Sequence, residues 1–303
     1  MTVIEIQGLR KEYRRLRGGS TRALDGLDLE VPEGGVFGFL GPNGSGKTTT
    51  IRCLFGLVRP TAGTVRMLGA APDALASVIG RVGSMVETPA FFPNFSGRRN
   101  LELLVRMRGR GRAHVMAVLE QVGLASRARD PFRTYSLGMK QRLGLAAALL
   151  CDPEVLILDE PANGLDPAGI KEVRDLIRRL GAEGRTVFVS SHLLAEVQQM
   201  CDRVAILARG RLVTSGTVEE VLAHGHRAAM VVRVAEIARA ADVLRAAGFD
   251  VSPDGEALQV VAEPEDGARI NELLANAGMY LSELRPAEVD LETVFFELTE
   301  ASG

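Results

Sequence analysis

The sequence predicts an α/β domain built around a parallel sheet, followed by a smaller α+β module. Three observations predict it. Runs such as Val36-Phe37-Gly38-Phe39-Leu40 and Val155-Leu156-Ile157-Leu158 carry no polar side chain, as strands buried on both faces of a parallel sheet must. Segments whose apolar residues recur every three or four positions lie between such runs, the alternation of an α/β domain. Around His224-Gly225-His226 the pattern changes to shorter elements in the order βαββαβ.

Taken in order, residues 3–6 and 27–31 alternate apolar and polar side chains like short strands. The basic, glycine-containing stretch 14–19 between them suits an exposed hairpin loop. Residues 36–40 form a strand that ends in a glycine-rich turn, and 48–57 have helical spacing. From 98 to 124, Leu101, Leu104, Val105, Val115, Val118, Leu119 and Val122 predict two helices broken near Gly109-Arg110-Gly111, a mostly helical insert. A helix over 137–150 leads through Asp152-Pro153 into the strand 155–158. A helix over 170–180 and strands over 186–189 and 203–207 continue the alternation. A boundary near 225 divides the chain into domains 1–225 and 226–303. In the second, strands 230–234, 249–251, 258–261 and 280–284 and helices 237–247 and 267–277 follow the order of a ferredoxin-like module, with 291–298 as an added helix. An irregular α+β appendage is the alternative.

Composition narrows the function classes. The 303 residues are 46% hydrophobic and 24% charged, a globular mixture able to fill two cores. With 36 basic and 38 acidic residues the net charge is −2, without the basic excess of a nucleic-acid binder. Cys53, Cys151 and Cys201 are too scattered for a disulfide framework or a zinc site, which points to a reducing, intracellular location. Residues 1–10 alternate like a strand and do not form the apolar stretch of an export signal, and no segment approaches the length of a membrane span. Only Lys11, Lys47, Lys140 and Lys171 among the 36 basic residues are lysines, so a lysine in this chain marks more than positive charge.

Gly41-Pro42-Asn43-Gly44-Ser45-Gly46-Lys47-Thr48 matches G-x-x-x-x-G-K-[ST], and it stands between a predicted strand and a predicted helix as phosphate binding requires. Glycines let the backbone turn its N–H groups inward, the helix N-terminus adds partial positive charge, and Lys47 reaches the terminal phosphates. Thr48 can ligate Mg²⁺, and Thr49 follows it in the same turn. The alternative is an ordinary glycine-rich turn with a solvated lysine. A second feature is the apolar strand ending in Asp159-Glu160, where carboxylates are costly unless a cation or hydrogen bonds compensate. Mg²⁺ would do so at Asp159, and Glu160 is placed to accept a proton from an attacking water. The bland reading is a carboxylate pair capping the next helix.

Between these two features, Tyr135-Ser136-Leu137-Gly138-Met139-Lys140-Gln141-Arg142 opens a helix and resembles the signature motif of ABC ATPases, the ATP-binding cassettes. Other landmarks follow in order over about residues 2–222. Asn163-Gly164-Leu165-Asp166 resembles the D-loop, Ser190-Ser191-His192 the switch histidine, and Tyr13 the aromatic that stacks on adenine. The chain departs from the family pattern in two places, the signature motif and position 87. Leu137 and Met139 replace a glycine and the glutamine of Leu-Ser-Gly-Gly-Gln, while Ser136 and Gly138 remain; Glu87 stands where glutamine is usual. Glu87 can still meet Mg²⁺ and orient water, although its charge lies beside the phosphates; the alternative is a solvated loop residue. These departures and the C-terminal module ending Leu291-Glu292-Thr293-Val294-Phe295-Phe296-Glu297-Leu298-Thr299 resemble the bacitracin-exporter and daunorubicin-exporter branch.

The resemblance implies a P-loop ATPase fold with a mixed-sheet core and a helical subdomain. It also implies a homodimer with two shared sites, because Ser136 and Gly138 of one subunit would cover the nucleotide held by the other, with Asp166 near the seam. Glu160, His192 and Glu87 would carry the chemistry, and Thr48, Asp159 and Glu87 the Mg²⁺. The partner implied is a separately encoded membrane permease, to which the ATPase attaches at the cytoplasmic face. Phe91, Phe92 and Phe95 then read as its docking surface, or else as a packed core cluster. The C-terminal module is expected to serve dimer contacts or regulation. A soluble ABC ATPase with a regulatory or non-transport role is the alternative.

Overall fold

The computed structural model describes residues 1–14, 19–86, 90–107, 113–224, 228–287 and 291–300. They divide into two compact units, Met1–Val221 and Leu222–Ala301.

The first unit opens with strands β1 (Thr2–Arg14), β2 (Ser20–Pro32) and β3 (Gly35–Leu40) and helix α1 (Lys47–Leu54). After β4 (Ala62–Met67) and β5 (Val82–Met85) come helices α2 (Gly97–Met107), α3 (Ala113–Gln121) and α4 (Leu137–Leu149). The alternation then resumes with β6 (Val155–Asp159), α5 (Pro167–Ala182), β7 (Thr186–Ser191), α6 (Leu194–Met200), β8 (Arg203–Ala208) and β9 (Arg211–Thr217), and α7 (Val218–His224) runs across the boundary after Val221. The strands form a three-stranded antiparallel sheet, β2-β1-β4, and a six-stranded sheet, β5-β6-β7-β3-β8-β9. The second is parallel except for its β8–β9 pair, so the core sheet is mixed.

Strands β1 and β2 run much further than residues 3–6 and 27–31, because ladder pairing carries the hairpin out to Arg14 opposite Ser20. The largely exposed β4, the four-residue β5 and the half-buried β9 have too little apolar alternation to be read from sequence. Helix α1 stops at Leu54, short of 57, since Gly56 turns the chain with φ +66°. The predicted break at Gly109-Arg110-Gly111 lies outside the described residues.

Phe37 and Phe39 of β3, Ile157 of β6 and Phe188 of β7 face one core together with Ile51 and Leu54 of α1 and Ile4, Leu27 and Val65 of the antiparallel sheet. α1 is thereby held firmly where its N-terminus meets the carboxyl edge of the large sheet. Phe188, fully buried, stacks on Phe37 at 5.9 Å between ring centroids and tilts against Phe39 at 5.3 Å. Phe188→Ala is expected to lower unfolding free energy by about 3–5 kcal/mol, measured by denaturant titration.

The second unit contains β10 (Ala229–Val234), α8 (Ile237–Ala246), β11 (Asp250–Asp254), β12 (Ala257–Val261), α9 (Gly267–Asn276), β13 (Leu281–Pro286) and α10 (Leu291–Glu300). Its sheet is antiparallel in the order β11-β12-β10-β13, which is the ferredoxin-like arrangement of βαββαβ. Val232, Leu258 and Val260 pack with Leu244 of α8 and Ile270 and Leu274 of α9 in a separate core.

Candidate active site

Parallel register brings the chemistry to one edge. Leu40 pairs with Ser191 and Asp159 with Ser190, so β3, β6 and β7 end level and their following loops converge beyond the carboxyl ends of the strands. The loop 41–46 leaves β3 there and enters α1. Its last residue, Gly46, caps α1 with φ 113° and no side-chain hydrogen bond, which leaves the helix N-terminal N–H groups for an anion. Pro42, Asn43 and Gly44 are exposed, Gly41, Ser45 and Gly46 buried, and Thr48 and Thr49 half-buried. Ser45 is anchored through its backbone, its N–H donating to Pro42 O and its carbonyl accepting from Gly210 N.

Lys47 is only 6% exposed, and its ammonium donates to the Gly41 carbonyl at 2.6 Å while lying 3.3 Å from Glu160 Oε1. The other Glu160 oxygen meets His192 Nδ1 at 2.8 Å. One carboxylate thus joins the loop lysine to the histidine after β7. Glu160 reaches that position from a left-handed backbone, φ 50°, a strain of about 1–3 kcal/mol for a non-glycine residue and a common mark of functional positions. Its N–H compensates by donating to the Ser190 hydroxyl and carbonyl, at 3.1 and 3.2 Å. Asp159, one residue back and buried, accepts a short hydrogen bond from the same Ser190 hydroxyl. Ser190 therefore orients both carboxylate-bearing residues. Sequence reasoning assigned it no role, since only the β6–β7 register reveals the pairing.

Among the described residues, no hydrogen bond or ion pair joins Ser136, Gly138, Asp166 or Tyr13 to this cluster. Ser136, exposed, caps α4 by accepting from Met139 N at 3.3 Å. Burial pushes the neighbouring Tyr135 phenol up from its ordinary range, and that hydroxyl donates to Arg127 O. A Cβ on Gly138 would meet only Leu165, at 3.8 Å, so nothing in its own chain crowds this glycine. Asp166 caps α5 by accepting from Gly169 N at 3.2 Å, an immediate structural use. Tyr13 is 39% exposed, with the Lys11 ammonium 4.9 Å from its ring centroid, so a second scarce lysine faces an expected ligand contact. Glu87 lies outside the described residues.

Among the described residues no three His, Cys, Asp or Glu side chains cluster as a metal cage. The hydroxyl of Thr48 and the carboxylate of Asp159 are hard oxygen donors, the set that suits Mg²⁺ completed by water and phosphate oxygens. No described helix is long and apolar enough to cross a membrane. Of the aromatic group, Phe91 packs edge-on against Phe132, whereas Phe92 and Phe95 lean on each other at 5.2 Å while 61% and 40% exposed. The group is thus part packed and part surface. Asn100, buried, holds this loop by accepting from Phe92 N and donating to Phe92 O, Phe95 O and Ser96 O.

The sequence profile described as ABC transporter matches residues 24–163. The bacitracin transport ATP-binding protein BcrA of Enterococcus faecalis is 37% identical over 306 residues, 99% of this chain and 97% of the relative. The daunorubicin resistance ATP-binding protein DrrA3 of Streptomyces coeruleorubidus is 38% identical, covering 98% and 96% of the two chains. Among solved structures, the dimeric post-hydrolysis state of the ATP-binding cassette MJ0796 bound to ADP and Pi matches with a TM-score of 0.64 at 23% identity, over 71% of this chain and 98% of that one.

Proposed function

The chain belongs to the ABC transporter ATP-binding family, and from that premise we propose that it works as a dimer powering a separate membrane permease for export of a drug or peptide antibiotic. It is an ATP hydrolase in this family, and the observation that carries the site assignment is the Lys47–Glu160–His192 linkage at the carboxyl edge of the sheet.

The loop 41–46 and the N-terminus of α1 would wrap the ATP phosphates with backbone N–H groups, and Lys47 would move its charge onto the terminal ones. Tyr13 would stack on adenine. Glu160 would take the proton from a water attacking the γ-phosphorus in line as the bond to ADP breaks, and His192 would hold the γ-phosphate and the water in register. Thr48 and Asp159, joined by Glu87, would hold Mg²⁺, which when bound neutralises charge on the phosphate oxygens. Ser136 and Gly138 of the partner subunit would close the site from the other side, with Asp166 at the seam; the uncrowded surface at Gly138 supports this, as room is needed for an approaching phosphate. Residues 1–225 are then the ATPase cassette and 226–303 an accessory module.

Permease attachment rests on the exposed Phe92–Phe95 pair, an apolar patch whose backbone Asn100 hydrogen-bonds. Co-expression with the adjacent reading frames and purification from detergent-solubilised membranes tests it. The ATPase is expected to co-purify with a polytopic partner, and Phe92→Ser with Phe95→Ser to weaken that recovery by at least about tenfold, as lost burial of two partly exposed aromatics implies. An ATPase recovered wholly in the soluble fraction, with or without the substitutions, would instead favour a soluble regulatory role.

A further inference from the structure

Arg174 ties the helix that follows Asp166 to the helix that follows His192, and from this geometry we infer that it positions His192 for hydrolysis. The inference rests on the role given to His192 above. Helix α6 has seven residues, fewer than two turns, and Leu193 at its start offers no side-chain cap, so it cannot hold itself in place. Its position depends on what it touches. On its apolar side Val197 and Met200 are buried, and Met200 lines a narrow slot with Ile170, Val173 and Ile177 of α5. On its polar side one guanidinium nitrogen of Arg174 donates to Glu196 Oε2 at 2.8 Å and Gln199 Oε1 at 2.6 Å.

Arg174 and Glu196 are 16% and 25% exposed, so solvent screens this pair less than an ordinary surface ion pair. The helix that carries Arg174 is a firm reference. α5 spans 16 residues, is capped by Asp166 and buries Val173, Leu176, Ile177 and Leu180. His192 lies between the end of β7 and the start of α6, with only Leu193 separating it from the helix. A shift of α6 therefore carries the imidazole away from Glu160, whose contact of 2.8 Å has little slack. The hydrogen bonds and ion pairs of Arg174 go to Asp175, Glu196 and Gln199, and not to Lys47 or the loop 41–46.

Steady-state hydrolysis by the full-length protein tests the inference. Arg174→Met is expected to lower kcat about tenfold, a misplacement effect, while KM for ATP stays within about twofold; Arg174→Lys, which keeps a donor and the charge, recovers most of the loss. In a His192→Ala background the Arg174→Met substitution is expected to cost no more than about 1.5-fold further, because both act through one group. The chain has four histidines, so the His192 Cε1–H resonance can be assigned by its loss in His192→Ala. It should move in folded Arg174→Met. Losses that multiply in the double variant, or an unmoved resonance with unchanged kcat, would overturn the inference. Should turnover of His192→Ala fall below detection, the resonance decides. Hydrolysis unaffected by His192→Ala would overturn the active-site reading itself; an impaired His192→Ala beside a silent Arg174→Met overturns only the positioning role.

Discussion

Glu160→Gln is expected to slow ATP hydrolysis by about 10²–10⁴-fold, the usual worth of a placed general base. The amide keeps the shape of the side chain and can still hydrogen-bond His192 Nδ1, but it cannot accept the proton of the attacking water. Removing the charge also frees Lys47 from its 3.3 Å ion pair and leaves less negative charge beside the phosphates. Binding should therefore survive or tighten while turnover falls. Phosphate release with size-exclusion chromatography in ATP checks both halves: the variant should accumulate as an ATP-dependent dimer. Turnover within about threefold of wild type would remove Glu160 from the role of base, since such a loss is far below that worth.

Gly46→Ala should abolish ATP binding, with a loss of at least about 100-fold in affinity. The φ of 113° is strained for any side chain, and a Cβ there would lie 2.6 Å from Leu24 Cδ2 and 2.7 Å from Ala23 O. The leucine tip could yield, but the carbonyl belongs to β2 and is held by the sheet. The loop must give way, at a cost of several kcal/mol if it stays folded, and its N–H groups lose their alignment on the phosphates. Gly44→Ala supplies the control. Gly44 has φ 83° but nothing within 4 Å of a Cβ, so only the left-handed penalty of about 1–2 kcal/mol applies. Calorimetric titration with ATP and thermal unfolding of both variants distinguish a local clash from a general need for glycine. Equal effects would show that the clash is not the cause.

These two residues also show how legibility divided. Gly46 belongs to a contiguous motif whose chemistry is local: eight consecutive residues specify a turn, a helix start and a lysine, and no distant contact is needed to recognise it. Asp159 and Glu160 were visible as carboxylates at the end of an apolar strand for the same reason. Ser136 and Asp166 were read as nucleotide contacts through the family resemblance, and both also cap helices, as serine and aspartate commonly do. The aromatic group at Phe91, Phe92 and Phe95 was undecidable from composition, because a phenylalanine carries no mark of which face it occupies. Strands β4, β5 and β9 were missed because they are stabilised by ladder pairing more than by their own alternation.

By itself, then, the sequence determined the α/β class, the phosphate loop, the paired carboxylates and the family, each carried by neighbouring residues or by motifs in a recognisable order. Tertiary structure alone decided that Glu160 reaches both Lys47 and His192, that Ser190 serves Asp159 and Glu160, and that Arg174 secures the helix beside His192. The physical reason is that parallel strands distant in the chain end side by side at one edge. Register between such strands is a property of the packed sheet, and so are the contacts that cross it.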